Sequence, residues 1–300
     1  MSTQPSIIIL GAGGHGRVVL DIIRQAGQFT PIGFLDNNTA LHGRRVDGLP
    51  VLGGIDKLKE LSELPAEAGG CVAPADTRCD QFVAPTISRC GVAPANGPCS
   101  AVIAIGDNGV RRMIAETVEA AGLDLPPIIH PSAQIATNVT IGRGVVICAG
   151  ALVCAHSQIG DYAILNTGCI VDHESMIGTA VHICPGVRLA GHVTLESGAF
   201  IGIGSTVIQN VRIGFEAIIG AGAVVTCDVD PMTTVVGVPA REIKSAPSAE
   251  EFASLLKATP LVSSPPAHVS PALNRIRNLT PVPTPDVALD SRDPMYVSGR

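Results

Sequence analysis

Four of the eight histidines of this 300-residue chain, His156, His173, His182 and His192, fall between Ile135 and Asp230. His156, Glu174 and His192 are spaced 18 apart, and His173 stands between Asp172 and Glu174. An imidazole flanked by carboxylates suits proton transfer, and it is equally the composition of a solvated surface. Three histidines with a carboxylate are also a vocabulary for metal. A second candidate is Gly11-Ala12-Gly13-Gly14-His15-Gly16, between the apolar run Ile7–Leu10 and the helical pattern Val18, Val19, Ile22, Ile23. With Asp36 about 20 residues further on, this G-x-G-x-x-G reads as a site where backbone N–H groups and a helix N-terminus meet a pyrophosphate. The unit is short for two mononucleotide halves, however, and His15 intrudes where a nicotinamide cofactor needs room. A tight turn capped by His15 is the plainer alternative.

The elements that must position these residues are set by a repeat of six. From Ile135 to Val225 every sixth residue is Ile, Leu or Val, sixteen hexads in all, and four places after each comes a small residue. Side chains two apart on a strand share a face, so the small residue and the next aliphatic both point inward. The third and fourth hexad positions form a corner. The fourth is Gly at 144, 150, 168, 186, 198, 204 and 222, and Asn, Asp or His at five more, types that accept positive φ. This period is a β-helix signature, and about five coils of three hexads are expected. Residues 18 apart then occupy one place in successive coils, so His156, Glu174 and His192 form a column.

Composition narrows the alternatives. A chain 46% hydrophobic and 15% charged is globular, and the absence of Trp with only 3% aromatics fits a narrow core of Ile, Val and Ala. A net charge of −6 disfavours nucleic acid. Mean hydropathy is positive, yet no apolar run approaches the roughly 18 residues of a membrane span. Residues 1–5 lack the cationic start of a signal peptide, which points to the cytoplasm. The odd count of nine Cys fits that reading.

Along the chain, Ile32–Leu35 is a second strand, Val46–Gly54 a third-strand region, Ile55–Leu64 a short helix and Val110–Ala121 another. Ala101–Asn108 reads as a strand with a polar C-terminal end of the kind that binds ligands in open α/β sheets. Residues 65–99 carry Cys71, Cys79, Cys90 and Cys99 without the close pairs of structural zinc, and read as a surface insertion. Ser248–Ala258 offers one capping helix, and the rest of the Pro/Ser-rich tail reads as disordered.

Asn166-Thr167-Gly168, Val171-Asp172-His173-Glu174, Pro185-Gly186, Leu189-Ala190-Gly191 and Val236–Arg241, set among hexads such as Ile141-Gly142 and Ile219-Gly220, resemble the hexapeptide-repeat acyltransferases that acetylate bacterial sugars. The resemblance covers roughly residues 6–60 and 100–243. It implies an α/β Rossmann-like nucleotide-sugar-binding domain over 1–127, with the insertion at 65–99. A left-handed parallel β-helix over 128–243 and the tail 244–300 follow. It implies an acetyl-CoA-dependent N-acetyltransferase acting on a nucleotide-linked amino sugar of the 4-amino-4,6-dideoxyhexose type. A sialic acid O-acetyltransferase is the alternative, and a metal-dependent helix of the γ-carbonic anhydrase kind a more distant one. By motif position, His173 is the base and Glu174 raises its basicity. Gly13, Gly14, His15, Asp36 and Asn37 hold the acceptor nucleotide, while His182, Gly191, Ile203, Gly220 and Ala221 line the acetyl-CoA groove. No metal is implied as a cofactor, and a cytoplasmic homotrimer with sites between neighbouring chains is expected.

Overall fold

A computed structural model describes residues 4–62 and 100–244. The segment with Cys71, Cys79, Cys90 and Cys99, the tail beyond Lys244 and Leu64 of the expected short helix lie outside the described residues. The N-terminal layer begins with β1 (Ser6–Leu10), α1 (Gly14–Ala26), β2 (Thr30–Leu35), β3 (Arg45–Val46) and β4 (Leu49–Gly53). After a 3-10 turn at Ile55–Lys57 come α2 (Leu58–Ser62), β5 (Ser100–Ile103) and α3 (Asn108–Ala120). The sheet order is β3-β4-β2-β1-β5, with all pairs parallel except β3 with β4. The expected third-strand region is thus a hairpin turning at Asp47-Gly48, both at positive φ. Ile7, Ile8, Ile9 and Leu10 are wholly buried, as a strand covered on both faces requires. Apolar Val19, Leu20, Ile22 and Ile23 form the buried stripe of α1, which ends at Gly27 in the left-handed conformation.

From Ile128 onward the chain winds into a prism with three parallel faces. One face carries the strands Val146–Ile147, Ile164–Leu165, His182–Ile183, Phe200–Ile201 and Ile218–Ile219. Its outward Val146 and Ile164 are buried in one cluster with Ile7, Ile9 and the apolar stripe of α1, so this is the docked face. The second face runs from Gln134–Ile135 to Val224–Val225, and the third from Thr140–Ile141 to Arg212–Ile213. From Ile128 to Thr206 each strand pairs in register with the one 18 residues on, and only the last coil shortens the step to 16, Ile218 pairing with Thr234. The phase follows the hexads. Every first-position aliphatic from Ile147 to Val225 and every fifth-position residue from Val145 to Val229 is buried. Fourteen of the sixteen fourth positions have positive φ, the exceptions being Asn138 and Asp228.

Arg111 fixes the two layers together, although the sequence gives no sign of it. Its side chain is wholly buried, and its N–H groups reach the carbonyls of Tyr162 (2.8 Å), Ala180 (2.8 Å), Ile105 (3.0 Å) and Gly106 (3.1 Å) and Asn108 Oδ1 (2.8 Å). Tyr162 and Ala180 are corner residues at φ 60° and 54°. Asn108 adds a bond to the carbonyl of Gly198, one coil further (2.8 Å). The expected ligand-binding end of β5 is therefore spent internally: Asp107 caps α3 by accepting from the Val110 N–H, and Asn108 clamps the prism. No helix among the described residues is long and apolar enough to cross a membrane.

Candidate active site

His173, Glu174, Gly191 and His192 meet on the edge between the second and third faces, in the turns after Val171 and Leu189. Glu174 takes φ 56° and His192 takes 56°, because each fills the fourth hexad position. Glutamate gains nothing from that conformation, so its presence in the left-handed region is a cost borne where its side chain is needed. Beneath this edge, wholly buried Ser157 and Ser175 donate to the carbonyls of Asp172 (3.0 Å) and Ala190 (3.4 Å). They stitch together the backbone that carries His173 and Gly191. Serine in two successive coils of the inward column was a legible signal of a polar duty there, and it was missed.

The carboxylate organises the side chains. Glu174 Oε2 lies 3.0 Å from His173 Nδ1 and 3.0 Å from His192 Nε2. The hydrogen bond from His173, then the charges of His192, His173 and His156, hold its carboxyl below the usual range. An ionised carboxylate can only accept. In its neutral form His173 must therefore carry its proton on Nδ1, and His192 on Nε2, which leaves the lone pair of His173 on Nε2. That nitrogen sits over Gly191, where a built Cβ would lie 2.5 Å from it. The two rings meet edge to face with centroids 5.3 Å apart. Asp172 faces the backbone instead: its Oδ1 accepts the His173 N–H (2.7 Å), which keeps its carboxyl low. Glu174, not Asp172, is thus the partner of the imidazole. His156 makes no hydrogen bond to the group, while the ligand atoms of His173, Glu174 and His192 lie within 4.8 Å of one another.

The glycine loop is elsewhere. It opens α1 beside the docked face, and in a three-sided prism the edge carrying His173 is the one opposite that face. Gly13 and Gly14 are exposed, and a Cβ on either would meet nothing within 4 Å. The protein's own packing does not demand these glycines, as it does Gly16, whose Cβ would fall 2.1 Å from the Gly11 carbonyl oxygen. Asp36 Oδ2 accepts from Ala12 N–H (2.8 Å) and Oδ1 from Asn38 N–H (2.8 Å), and Asn37 Oδ1 accepts from Ile55 N–H (3.0 Å). Both side chains shape the loop and its neighbour. His15 Nε2 is buried without a hydrogen-bond partner.

The five residues expected along the acetyl-CoA groove are distributed over the prism. Gly191 underlies His173; Ile203, Gly220 and Ala221 stand on the edge between the docked and second faces, with Ile203 57% exposed. His182 points outward but is buried under the N-terminal layer. Its Nδ1 donates to the Gly106 carbonyl (3.1 Å) and its Nε2 faces the Asn166 amide (3.3 Å). Phe200 packs edge-on 5.3 Å away and His15 lies 6.5 Å off. Burial first, then nearby positive charge, pushes both His15 and His182 down to about 4.

Known proteins share this chain's sequence pattern and fold. The family profile of the PglD N-terminal domain matches residues 6–73. The chain is 29% identical over 251 residues to GDP-perosamine N-acetyltransferase of Escherichia coli O157:H7, covering 80% of this chain and 97% of that protein. The crystal structure of PerB from Caulobacter crescentus, in complex with CoA and GDP-perosamine, superposes with a TM-score of 0.65 at 34% identity, over 80% of this chain and 97% of that one. The acetyltransferase domain of PglB from Neisseria gonorrhoeae, in complex with acetyl coenzyme A, gives 0.65 at 30% identity over 80% and 100%.

Proposed function

The chain belongs to the hexapeptide-repeat acetyltransferases that include the perosamine N-acetyltransferases, and on that premise we propose that it moves the acetyl group of acetyl-CoA onto the amino group of a nucleotide-linked sugar. The observation that carries the reading is the His173–Glu174 pair, which leaves a basic nitrogen open on an exposed edge. His173 Nε2 takes the proton as the sugar amine attacks the thioester carbonyl, and Glu174 holds Nδ1–H and steadies the imidazolium. Collapse of the tetrahedral adduct expels CoA, to whose sulfur the proton on Nε2 returns. General-base help of this kind is worth about 10²–10⁴ in rate. Among the relatives matched over almost their whole length are the GDP-perosamine N-acetyltransferase of Escherichia coli O157:H7 and PerB, whose structure holds CoA and GDP-perosamine, which favours N- over O-acetylation. A 4-amino-4,6-dideoxyhexose on GDP is the substrate class to try first.

We read the working unit as a homotrimer in the cytoplasm, where acetyl-CoA and nucleotide sugars are made. What supports the assembly is the separation of the glycine loop from His173 within one chain, together with the half-buried outward residues Leu152, Ile170, Thr206 and Val224 of the second face, a column that also carries the exposed Gln134 and Arg188. A base on one chain then serves an acceptor held by Gly13, Gly14 and His15 of the next, with Ile203, Gly220 and Ala221 along a cleft between prisms. The activity is tested by CoA release over a panel of GDP-, UDP- and dTDP-linked amino sugars; release with none of them would sink the reading. Complementation tests the assembly. His15→Ala and His173→Ala, each inactive alone, should recover about a quarter of wild-type activity when co-assembled, since random mixing gives that share of intact sites. No recovery in verified mixed trimers would place both residues in one chain's site.

A further inference from the structure

We propose that the edge also binds a divalent transition metal ion, zinc above all, which switches the acetyl transfer off. His173 Nδ1, Glu174 Oε2 and His192 Nε2 already converge, with separations of 3.0 Å from the carboxylate oxygen to each nitrogen and all three within 4.8 Å. Two imidazoles and a carboxylate with an open fourth position are a ligand set that zinc accepts, and metal–ligand bonds of about 2.0–2.1 Å put neighbouring ligand atoms roughly 3.3 Å apart. The carboxylate-to-nitrogen distances need to open only slightly, while the two nitrogens close on each other. All three side chains are about half exposed, so an ion has a path to them. Corner geometry presents Glu174 and His192 one coil apart, both at positive φ, and the backbone bond from His192 N–H to the His173 carbonyl (2.9 Å) ties the coils together.

The consequence for the base follows from proton bookkeeping. The metal takes the lone pair at His173 Nδ1, so that nitrogen's proton moves to Nε2; likewise the proton of His192 moves to Nδ1. No proton is released. Nε2 of His173, the atom that must accept from the amine, now bears a proton, and Glu174 is drawn from its imidazole to the ion. Loss of activity rests on the acetyl-transfer reading; occupancy of the site does not.

The test uses full-length protein and cobalt(II) as a visible probe, without substrates, at pH 8. One equivalent should give the intense d–d bands of a low-coordinate site without thiolate charge transfer. Zinc should displace it, and calorimetry in two buffers should show no proton release. His192→Asn removes the imidazole while Asn still tolerates positive φ; it should abolish the bands. Zinc should inhibit the wild type reversibly, with chelator restoring activity, and the variant should need at least about tenfold more zinc. No cobalt bands at millimolar cobalt, unchanged bands in His192→Asn, or thiolate charge transfer with proton release would overturn the proposal, the last by assigning the metal to cysteine. Bands without CoA release from any sugar would leave the metal site standing and remove the acetyl-transfer reading.

Discussion

Glu174 serves two imidazoles at once, and its value to His173 depends on where that ring can lie. The ring rests above Gly191 because Gly191 has no side chain: any Cβ there would press on Nε2 from 2.5 Å. Gly191 is not among the residues at positive φ, so its backbone accepts alanine and only the imidazole is disturbed. Gly191→Ala should tilt His173 off Glu174 and lower kcat by about 100-fold, the usual effect of misplacing a reacting group by an ångström. Acetyl-CoA affinity, measured by calorimetry, should hardly change. A weakened Kd with kcat intact would instead support the expectation from resemblance that Gly191 lines the groove.

At the scale of elements, the hexads made most of the prism legible. Their phase placed Cys169 and Ala199 inside, Thr167 outside, and Glu174 and His192 in one column, and these placements stand. A period reports what repeats along the chain, so contacts between layers were invisible to it. Arg111 looked like one more polar residue of an amphipathic helix, and His182 like a side chain facing a groove; both are covered by a layer the repeat says nothing about. The clamp at Arg111 is charge against carbonyl dipoles. Burial lowers the guanidinium only to about 10, so it remains charged and its acceptors depend on it. Arg111→Met should leave the carbonyls of Tyr162, Ala180 and Ile105 without that donor, while Gly106 keeps His182, at about 1–3 kcal/mol each where water cannot reach, and cost roughly 4 kcal/mol in urea unfolding. Arg112→Met is the control. It loses a half-exposed ion pair with Glu216 (2.8 Å) and should cost under about 1 kcal/mol. Equal losses would show that the clamp does not hold the layers.

At the scale of the molecule, the layer carrying the glycine loop sits on the prism across two neutral histidines. His15 and His182 lie 6.5 Å apart in the interface with Arg111 nearby, so protonating either buries a cation against cations. Both fall from 6.5 to about 4 on folding, and between those values the unfolded chain binds more protons than the folded one. Their contribution to stability is therefore whole above about pH 6.5 and is lost as pH falls toward 4, at roughly 1 kcal/mol per pH unit for each. His182→Gln keeps a donor for the Gly106 carbonyl and has no proton to gain. Its stability should fall less steeply between pH 6.5 and 4.5, by about that amount per unit, with the gap between the two proteins narrowing on acidification even if the variant is weaker at neutral pH. Urea titrations of both proteins across this window decide it. Parallel lines would mean that His182 is protonated without cost, and that the interface around it is open to water rather than the dry contact that seats the glycine loop.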